Sequence, residues 1–433
     1  MLAAINKYWD LRKLVFVGLA ATAFAVCDAE STVVQKEQSQ TAIDYSQRKA
    51  LVIGVDGMQY EKLQEAIAAG RAPNLAQFTI AKSYIGGVVG TVTQQSTYSG
   101  PGWSTILTGA WSNRHRVTGN DSRQRNQTKS IFRLIKEATP SRRTASIISW
   151  NTINDNFARD IELAYIDRVE KCSDIDQCVA EKASSALRFE VFSFVFAHFD
   201  EPDLTGHAQG FGDAYQAAIQ GVDTQVGQLL AALRQRQVAY PDEDWLIIVT
   251  PDHGRAAADG HSHGNQTLSE KTTFIAINKP ANAQLSAPIS DPDNMNFGGL
   301  YGNATQADIV PTVLAHLGVK PNLLDYPIDG VSLIGELGVR LLAVQINNTA
   351  RSATLKWRNT SAQGKPLTIY RDGKLLATLT DQVSEYVDND LKNVQDGVVD
   401  LNYTVVVNDV PQSYLARANF SAAISSNPSL LMR

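Results

Sequence analysis

The chain has 433 residues, enough for more than one domain, with 39 Lys and Arg against 44 Asp and Glu and a net charge of -5. An apolar fraction of 44% and a charged fraction of 19% are those of an ordinary globular protein and exclude a disordered or fibrous chain. The mildly acidic balance provides no broad basic field, so no nucleic-acid polymer is expected as a partner.

Residues 1–29 read as a signal peptide. Lys7, Arg12 and Lys13 precede an apolar run over 14–26, and Ala23 and Ala25 stand in A-x-A spacing. The run is too short for a comfortable bilayer span. Export is expected, to the periplasm or the medium. Lipidation of Cys27 is disfavoured because Val26 is larger than the residue usual before a lipoprotein cysteine. Cys172 and Cys178 lie close in sequence and could close a small loop in an oxidising compartment.

Further along, 50–57 (ALVIGVDG) is a continuous apolar run ending in Asp56 and Gly57. That is the pattern of a buried parallel strand delivering a residue at its C-terminal end. Segments 191–200 (VFSFVFAHFD) and 245–254 (WLIIVTPDHG) repeat it. Between them, 215–236 carries apolar residues at helical spacing. The segment 99–109 (SGPGWSTILTG) predicts a turn around Ser99 and a helix starting near Trp103. Residues 151–190 are a candidate cap, and 307–318 predicts a helix with a glycine near its C-terminus. Strand, helix, strand with polar residues just past the strand ends predicts an α/β sheet with a ligand at its carboxyl edge. After residue 340 the texture changes to short alternating runs, with a turn signal at Asp372-Gly373. The expected domains are a catalytic unit over 46–340 and a small β-sandwich over 343–422.

Chemistry concentrates in four places: Asp56; Asp203 and His207 in EPDLTGH; Asp252 and His253 in TPDHG; and His263 in GHSHG. Three Asp and three His can hold two metal ions, and a pair about 4 Å apart suits in-line displacement at phosphorus. Adjacent Asp and His at a strand end are costly to desolvate without a charge partner, which a metal supplies. The share of imidazole favours Zn²⁺, so two Zn²⁺ ions are expected. Asp56 read alone could equally cap the helix that follows. Ser99, Ser96, Ser104 and Thr105 are competing hydroxyls, and the residues alone do not choose between them.

In the order of these motifs the chain resembles the alkaline phosphatase superfamily, nearest its type I phosphodiesterase/nucleotide pyrophosphatase branch. The motifs are VDG at Asp56, Ser99 with Pro101 and Thr108-Gly109, Asn120 in HRVTGN, EPDLTGH, PDHG, His263-Gly264 ahead of Thr272-Thr273-Phe274, and DIVPTVLAHLG followed by DGVSL. They cover roughly residues 48–335. The resemblance implies an alkaline phosphatase-like mixed sheet flanked by helices, with a small fibronectin type III-like sandwich behind it. It implies one metal site of Asp56, Asp252 and His253 that also binds Ser99, and another of Asp203, His207 and His263, with His261 as an alternative to His263. Ser99 would be the nucleophile, forming a phosphoseryl enzyme. Asn120 and the amide after Ser99 would stabilise the phosphoryl oxygen. The substrate expected is a small phosphate diester or nucleotide pyrophosphate. The alternative is a phosphomonoesterase, for which Arg114, Arg116 and Arg123 are candidate extra cations. A sulfatase or phosphonate hydrolase is a further variant, and Trp103 stands where the sulfatase motif carries Arg. Trp103 and Trp150 are candidates for stacking a nucleobase or for core packing. The sandwich could contact a glycan or cell surface.

Overall fold

The computed structural model describes residues 45–290, 297–360 and 364–421. The expected leader and Cys27 lie outside the described residues. Among the described residues no helix is long and apolar enough to cross a membrane.

The N-terminal half is built on eight strands: β1 (Arg48–Val55), β2 (Thr79–Tyr84), β3 (Thr144–Ile148), β4 (Arg168–Lys171), β5 (Phe194–Phe199), β6 (Asp244–Thr250), β7 (Thr272–Ile277) and β8 (Ala304–Thr305). Their order across the sheet is β4-β3-β5-β1-β6-β7-β2-β8. The run from β4 to β6 is parallel, while β7 pairs antiparallel with both β6 and β2. The sheet is therefore mixed and flanked by helices on both faces. Side-chain alternation along β1 explains the layers. Leu51, Ile53 and Val55 enter one core with the helices Asp176–Phe189 and Asp213–Ala239. Ala50 and Val52 enter the other with the helices Ser99–Thr108 and Ile309–Leu317. A strand buried on both faces must be apolar throughout, which is why ALVIGV shows no polar alternation.

Two expectations change here. The first helix after the glycine-rich turn begins at Ser99 itself, four residues before Trp103. Pro101 fits the first turn of a helix, where no intrahelical amide bond is lost. Residues 151–190 do not form a cap: β4 is the edge strand of the sheet, and Asp176–Phe189 packs against β5 and the helix Asp213–Ala239.

Beyond the mixed sheet lie β9 (Val339–Asn347), β10 (Ser352–Asn359), β11 (Pro366–Arg371), β12 (Lys374–Thr380), β13 (Glu385–Asp388), β14 (Gly397–Val407) and β15 (Val410–Phe420). They form two antiparallel sheets, β13-β10-β9 and β12-β11-β14-β15. Leu355 and Trp357 of one sheet share a core with Ile369, Tyr403 and Ala418 of the other. Asp372 and Gly373 have φ of 48° and 76° and turn β11 into β12, as a two-residue hairpin loop requires. β9 starts at Val339 and so runs across the expected 340/343 boundary.

The two halves are joined by buried polar contacts. Arg114 pairs with Asp329 at 2.8 Å and donates to Asn402 Oδ1 at 2.7 Å and Ser413 Oγ at 2.9 Å. Arg340 donates to the carbonyls of Ala283, Ala287, Gln284 and Gly302.

Candidate active site

β5, β1 and β6 are neighbours and parallel, so their C-terminal ends open on one place. Asp56 follows β1, Asp203 and His207 lie on the helix Glu201–Gln209 after β5, and Asp252 and His253 follow β6. Asp203 and His207 are four apart on that helix and therefore share a face. The loop after β6 returns His263 to the same place. Asp56 does not cap the following helix; that position is Gln59. Asp56, Asp252 and His253 are buried, with ligand atoms within 4.8 Å of one another. Asp203, His253 and His263 make a second such group. His207 Nε2 is 3.1 Å from Asp203 Oδ2 and 3.0 Å from His263 Nε2. His261 instead meets the His207 carbonyl through Nδ1 at 3.1 Å.

Ser99 Oγ lies 3.2 Å from His253 Nε2 and 3.5 Å from Asp56 Oδ1. Two of the competing hydroxyls are engaged elsewhere, and the third is buried without a hydrogen-bond partner. Ser96 donates to the Thr118 carbonyl, Thr105 meets Gln95 and His115, and Ser104 is buried one turn further along the helix. Two close approaches hold this helix on the sheet. A Cβ at Gly54 would come within 2.5 Å of the Trp103 ring, and one at Gly102 within 2.8 Å of the Asp252 carbonyl oxygen. Trp103 is 1% exposed, so it packs in the core; its Nε1 donates to Asp56 Oδ2 at 2.9 Å. Trp150 is partly buried against the same core.

The imidazoles present one nitrogen each to the carboxyl groups. His253 Nδ1 donates to the Gly254 carbonyl and His263 Nδ1 to the Thr97 carbonyl, both at 2.9 Å. This leaves each Nε2 facing the cluster, the arrangement of a metal-binding histidine oriented by its other nitrogen. Asp252 Oδ2 is fully buried without a hydrogen-bond partner, with His253 Nε2 standing 3.3 Å away. A buried carboxyl oxygen without a donor calls for a cation, and the donor set fits divalent metal.

Charge is strongly coupled here. Burial opposes ionisation of Asp56, but hydrogen bonds from His198 and His253 outweigh it and hold the carboxyl well below its usual range. Burial, then the Asp56 charge, pushes Asp252 well above it. Burial opposes charging of His253, yet Asp252 and Asp56 raise it to about 9. Burial and the neighbouring His253 lower His263 to about 3. The hydrogen bond to Asp203 raises His207.

Several contributors were not legible in sequence. His198 Nε2 is 3.2 Å from Asp56 Oδ2, and Asp56, His198 and Asp200 form a third compact buried group. Burial and then Asp56 push Asp200 up to about 10. The polar ending of VFAHFD was the available signal. Arg255 is fully buried and donates to Asp203 Oδ1. Asn120 is adjacent to Ser99 through a contact that changes one expectation: its Oδ1 accepts from the Gly100 amide at 2.8 Å. The amide after Ser99 is thus engaged by Asn120 and does not face a phosphoryl oxygen independently. The candidate arginines are also engaged, Arg114 by Asp329, Arg116 by Asp400 and Arg123 by Asp121. Cys172 and Cys178 form a disulfide.

Two family models match the chain. Residues 165–321 match the Metalloenzyme superfamily, and residues 50–141 match Type I phosphodiesterase / nucleotide pyrophosphatase. Among curated relatives, a 2,3-bisphosphoglycerate-independent phosphoglycerate mutase of Synechococcus sp. (strain JA-2-3B'a(2-13)) is 28% identical over 141 residues, 33% of this chain and 24% of the mutase. The match thus spans about a quarter of that relative's length. Among solved structures, a murine ectonucleotide pyrophosphatase / phosphodiesterase is 15% identical, with 65% of this chain and 97% of that chain covered and a TM-score of 0.42. An alkaline phosphatase from the Antarctic bacterium TAB5 is 13% identical, with 63% and 98% covered and a TM-score of 0.42.

Proposed function

We propose that the chain, parts of which match the Metalloenzyme superfamily and the Type I phosphodiesterase / nucleotide pyrophosphatase family, is an alkaline phosphatase-like metalloenzyme that hydrolyses small phosphate diesters through a phosphoseryl intermediate, with two Zn²⁺ ions as cofactors. The carrying observation is the position of Ser99 Oγ, 3.2 Å from His253 Nε2 and 3.5 Å from Asp56 Oδ1, at the first turn of a buried helix. Asp56, Asp252 and His253 would hold one ion beside Ser99, and Asp203, His207 and His263 the other. Bound there, the ions would lower the pKa of the serine hydroxyl and of a water.

Ser99, its hydroxyl proton released to solvent, attacks phosphorus in line through Oγ; the Oγ–P bond forms, the bond to the leaving alkoxide breaks, and the alkoxide takes up a proton from solvent. Water then cleaves the phosphoserine and restores the hydroxyl. The helix N-terminus on which Ser99 stands favours the anionic phosphoryl group. Asn120, held through Oδ1 by the Gly100 amide, has Nδ2 available to donate to a nonbridging oxygen. A phosphomonoester brings an additional negative charge that needs a cation. Engagement of Arg114, Arg116 and Arg123 by carboxylates favours the diester. The mutase activity of the partial relatives is not carried over. The three-plus-four strand arrangement supports a fibronectin type III-like assignment for the C-terminal half. The Cys172–Cys178 disulfide supports export to the periplasm or medium.

The test is hydrolysis of bis-p-nitrophenyl phosphate, p-nitrophenyl phosphate and p-nitrophenyl sulfate, with and without added Zn²⁺, in wild type and Ser99→Ala. A dominant zinc-dependent diesterase rate abolished in Ser99→Ala is expected. A dominant monoesterase rate overturns the substrate class, and activity surviving Ser99→Ala overturns the nucleophile.

A further inference from the structure

The helix Glu201–Gln209 carries Asp203 in its first turn and His207 in its last, so its placement sets both side chains at once. Its first amides have no partner within the helix. They are satisfied from a distant segment: Asp176 Oδ1 accepts from the Asp200 amide at 2.8 Å, and Oδ2 from the Glu201 amide at 3.0 Å. Asp176 is 7% exposed. A carboxyl that accepts from two consecutive amides restrains both the position and the rotation of the helix start.

The segment that presents Asp176 is itself tightly held. The Cys172–Cys178 disulfide closes the loop on both sides of it. Within the loop Ser173 and Asp174 take positive φ, 52° and 63°, a conformation uncommon outside glycine. Backbone bonds fasten the loop to the sheet edge, from the Cys172 amide to the Ile148 carbonyl at 2.9 Å and from the Asp174 amide to the Ser149 carbonyl at 3.1 Å. The Ser149 amide in turn donates to the His198 carbonyl on β5 at 3.1 Å. A continuous chain of contacts thus runs from the disulfide loop to the C-terminal end of β5 and into the ligand-bearing helix.

We propose that Asp176, presented by the Cys172–Cys178 loop, is a positioning residue that sets Asp203 and His207 for the metal they would share with His263. The inference rests on the metal-centre reading above. Its geometric half, the restraint on the helix, stands apart from that reading. Partners that orient ligands are worth about 10–100-fold in metal affinity.

The experiment compares wild type, Asp176→Ala, Asp176→Asn and the double variant Cys172→Ser/Cys178→Ser. Zn²⁺ is titrated against a chromophoric chelator, and amide hydrogen exchange of the peptide spanning 200–209 is followed in the metal-free proteins. In Asp176→Ala, one of two zinc affinities should fall by about 10–100-fold while the other stays at its wild-type value, with faster exchange over 200–209. Asp176→Asn, which keeps the same shape and one oxygen acceptor, should recover part of both losses, and the cysteine double variant should show the same site-selective loss in smaller degree. Unchanged zinc affinities in a folded Asp176→Ala overturn the proposal, as does an equal loss at both sites. Wild-type exchange over 200–209 in that variant also overturns it. If wild type itself binds no zinc, the metal-centre reading fails instead, and the exchange data still report whether Asp176 holds the helix.

Discussion

At the scale of single residues, Asp56 is the point where several constraints meet. Trp103 Nε1 and His198 Nε2 approach its Oδ2, while Oδ1 faces Ser99 and His253. The two oxygens are thereby given different tasks. Trp103→Phe keeps an apolar ring against Gly54 and deletes only the donor. A hydrogen bond to a charged group contributes about 1.5–3 kcal/mol to stability, so the unfolding midpoint should fall, and kcat/KM should fall with it as Asp56 loses the donor that fixes its Oδ2. Steady-state kinetics beside thermal unfolding checks this. His253 supplies a pH dependence. Although burial opposes its charging, the Asp252 and Asp56 carboxyl groups push the His253 pKa up to about 9, so at neutral pH the metal-free imidazole is expected to hold a proton that an incoming ion must displace. Zinc affinity should therefore rise with pH, roughly tenfold per unit from this group, and flatten above about pH 9. Calorimetry in buffers of differing ionisation enthalpy should register about one proton released from His253 per active site near pH 7.5. No buffer dependence would contradict the protonated imidazole.

At the scale of elements, the helix Ser99–Thr108 is held on β1 and the segment after β6 by missing side chains. Gly54→Ala places a methyl within 2.5 Å of the Trp103 ring. Overpacking of this kind costs about 1–3 kcal/mol, and here it should displace Trp103 from Asp56, so activity should fall together with stability. A Gly54→Ala enzyme of wild-type rate would mean the helix can shift freely. The short helix Ser112–His115 follows the nucleophile helix and carries Arg114 into the other half of the molecule. Arg114 and Asp329 have only 7% and 5% of their side-chain surface exposed. Arg114→Ala leaves a buried carboxyl without its partner and should cost about 3–5 kcal/mol in chemical denaturation.

At the scale of the whole molecule, the C-terminal sheets are joined to the N-terminal half by a polar seam. Asn402 Nδ2 donates to the Tyr326 carbonyl at 3.1 Å and Ser413 Oγ to the Ile328 carbonyl at 2.6 Å, while Arg116 reaches Asp400 at 2.9 Å. Tyr326 and Ile328 belong to the hydrophobic core of the N-terminal half. A chain ending at Leu337 would remove Arg340 from the four carbonyls it binds. It should be poorly soluble and inactive, as measured by sedimentation and circular dichroism. A stable, active truncation would make the sandwich a separable module. The same seam bears on the glycan-contact reading, since part of β14 and β15 is already engaged within the chain.

What the sequence by itself determined is local. Apolar runs ending in Asp, in PDHG and before EPDLTGH mark strands that deliver polar groups at one edge, because a strand buried on both faces has no other place for them. The four-residue spacing of Asp203 and His207 allowed either a helical turn or a tight loop to present both to one ion, and DG marked the β11–β12 turn. What only the tertiary structure decided depends on contacts between residues distant in the chain. His198 reads as one polar residue in an apolar strand until β1 lies beside β5, and Arg255 until the helix after β5 meets the loop after β6. Asp176 is an ordinary acid near a cysteine until the sheet edge brings it to the Asp200 amide. Gly100 and Asn120 likewise become partners only when their loops close. Periodicity records which face of an element is buried; it carries no record of which distant side chain completes the charge and hydrogen-bond balance there.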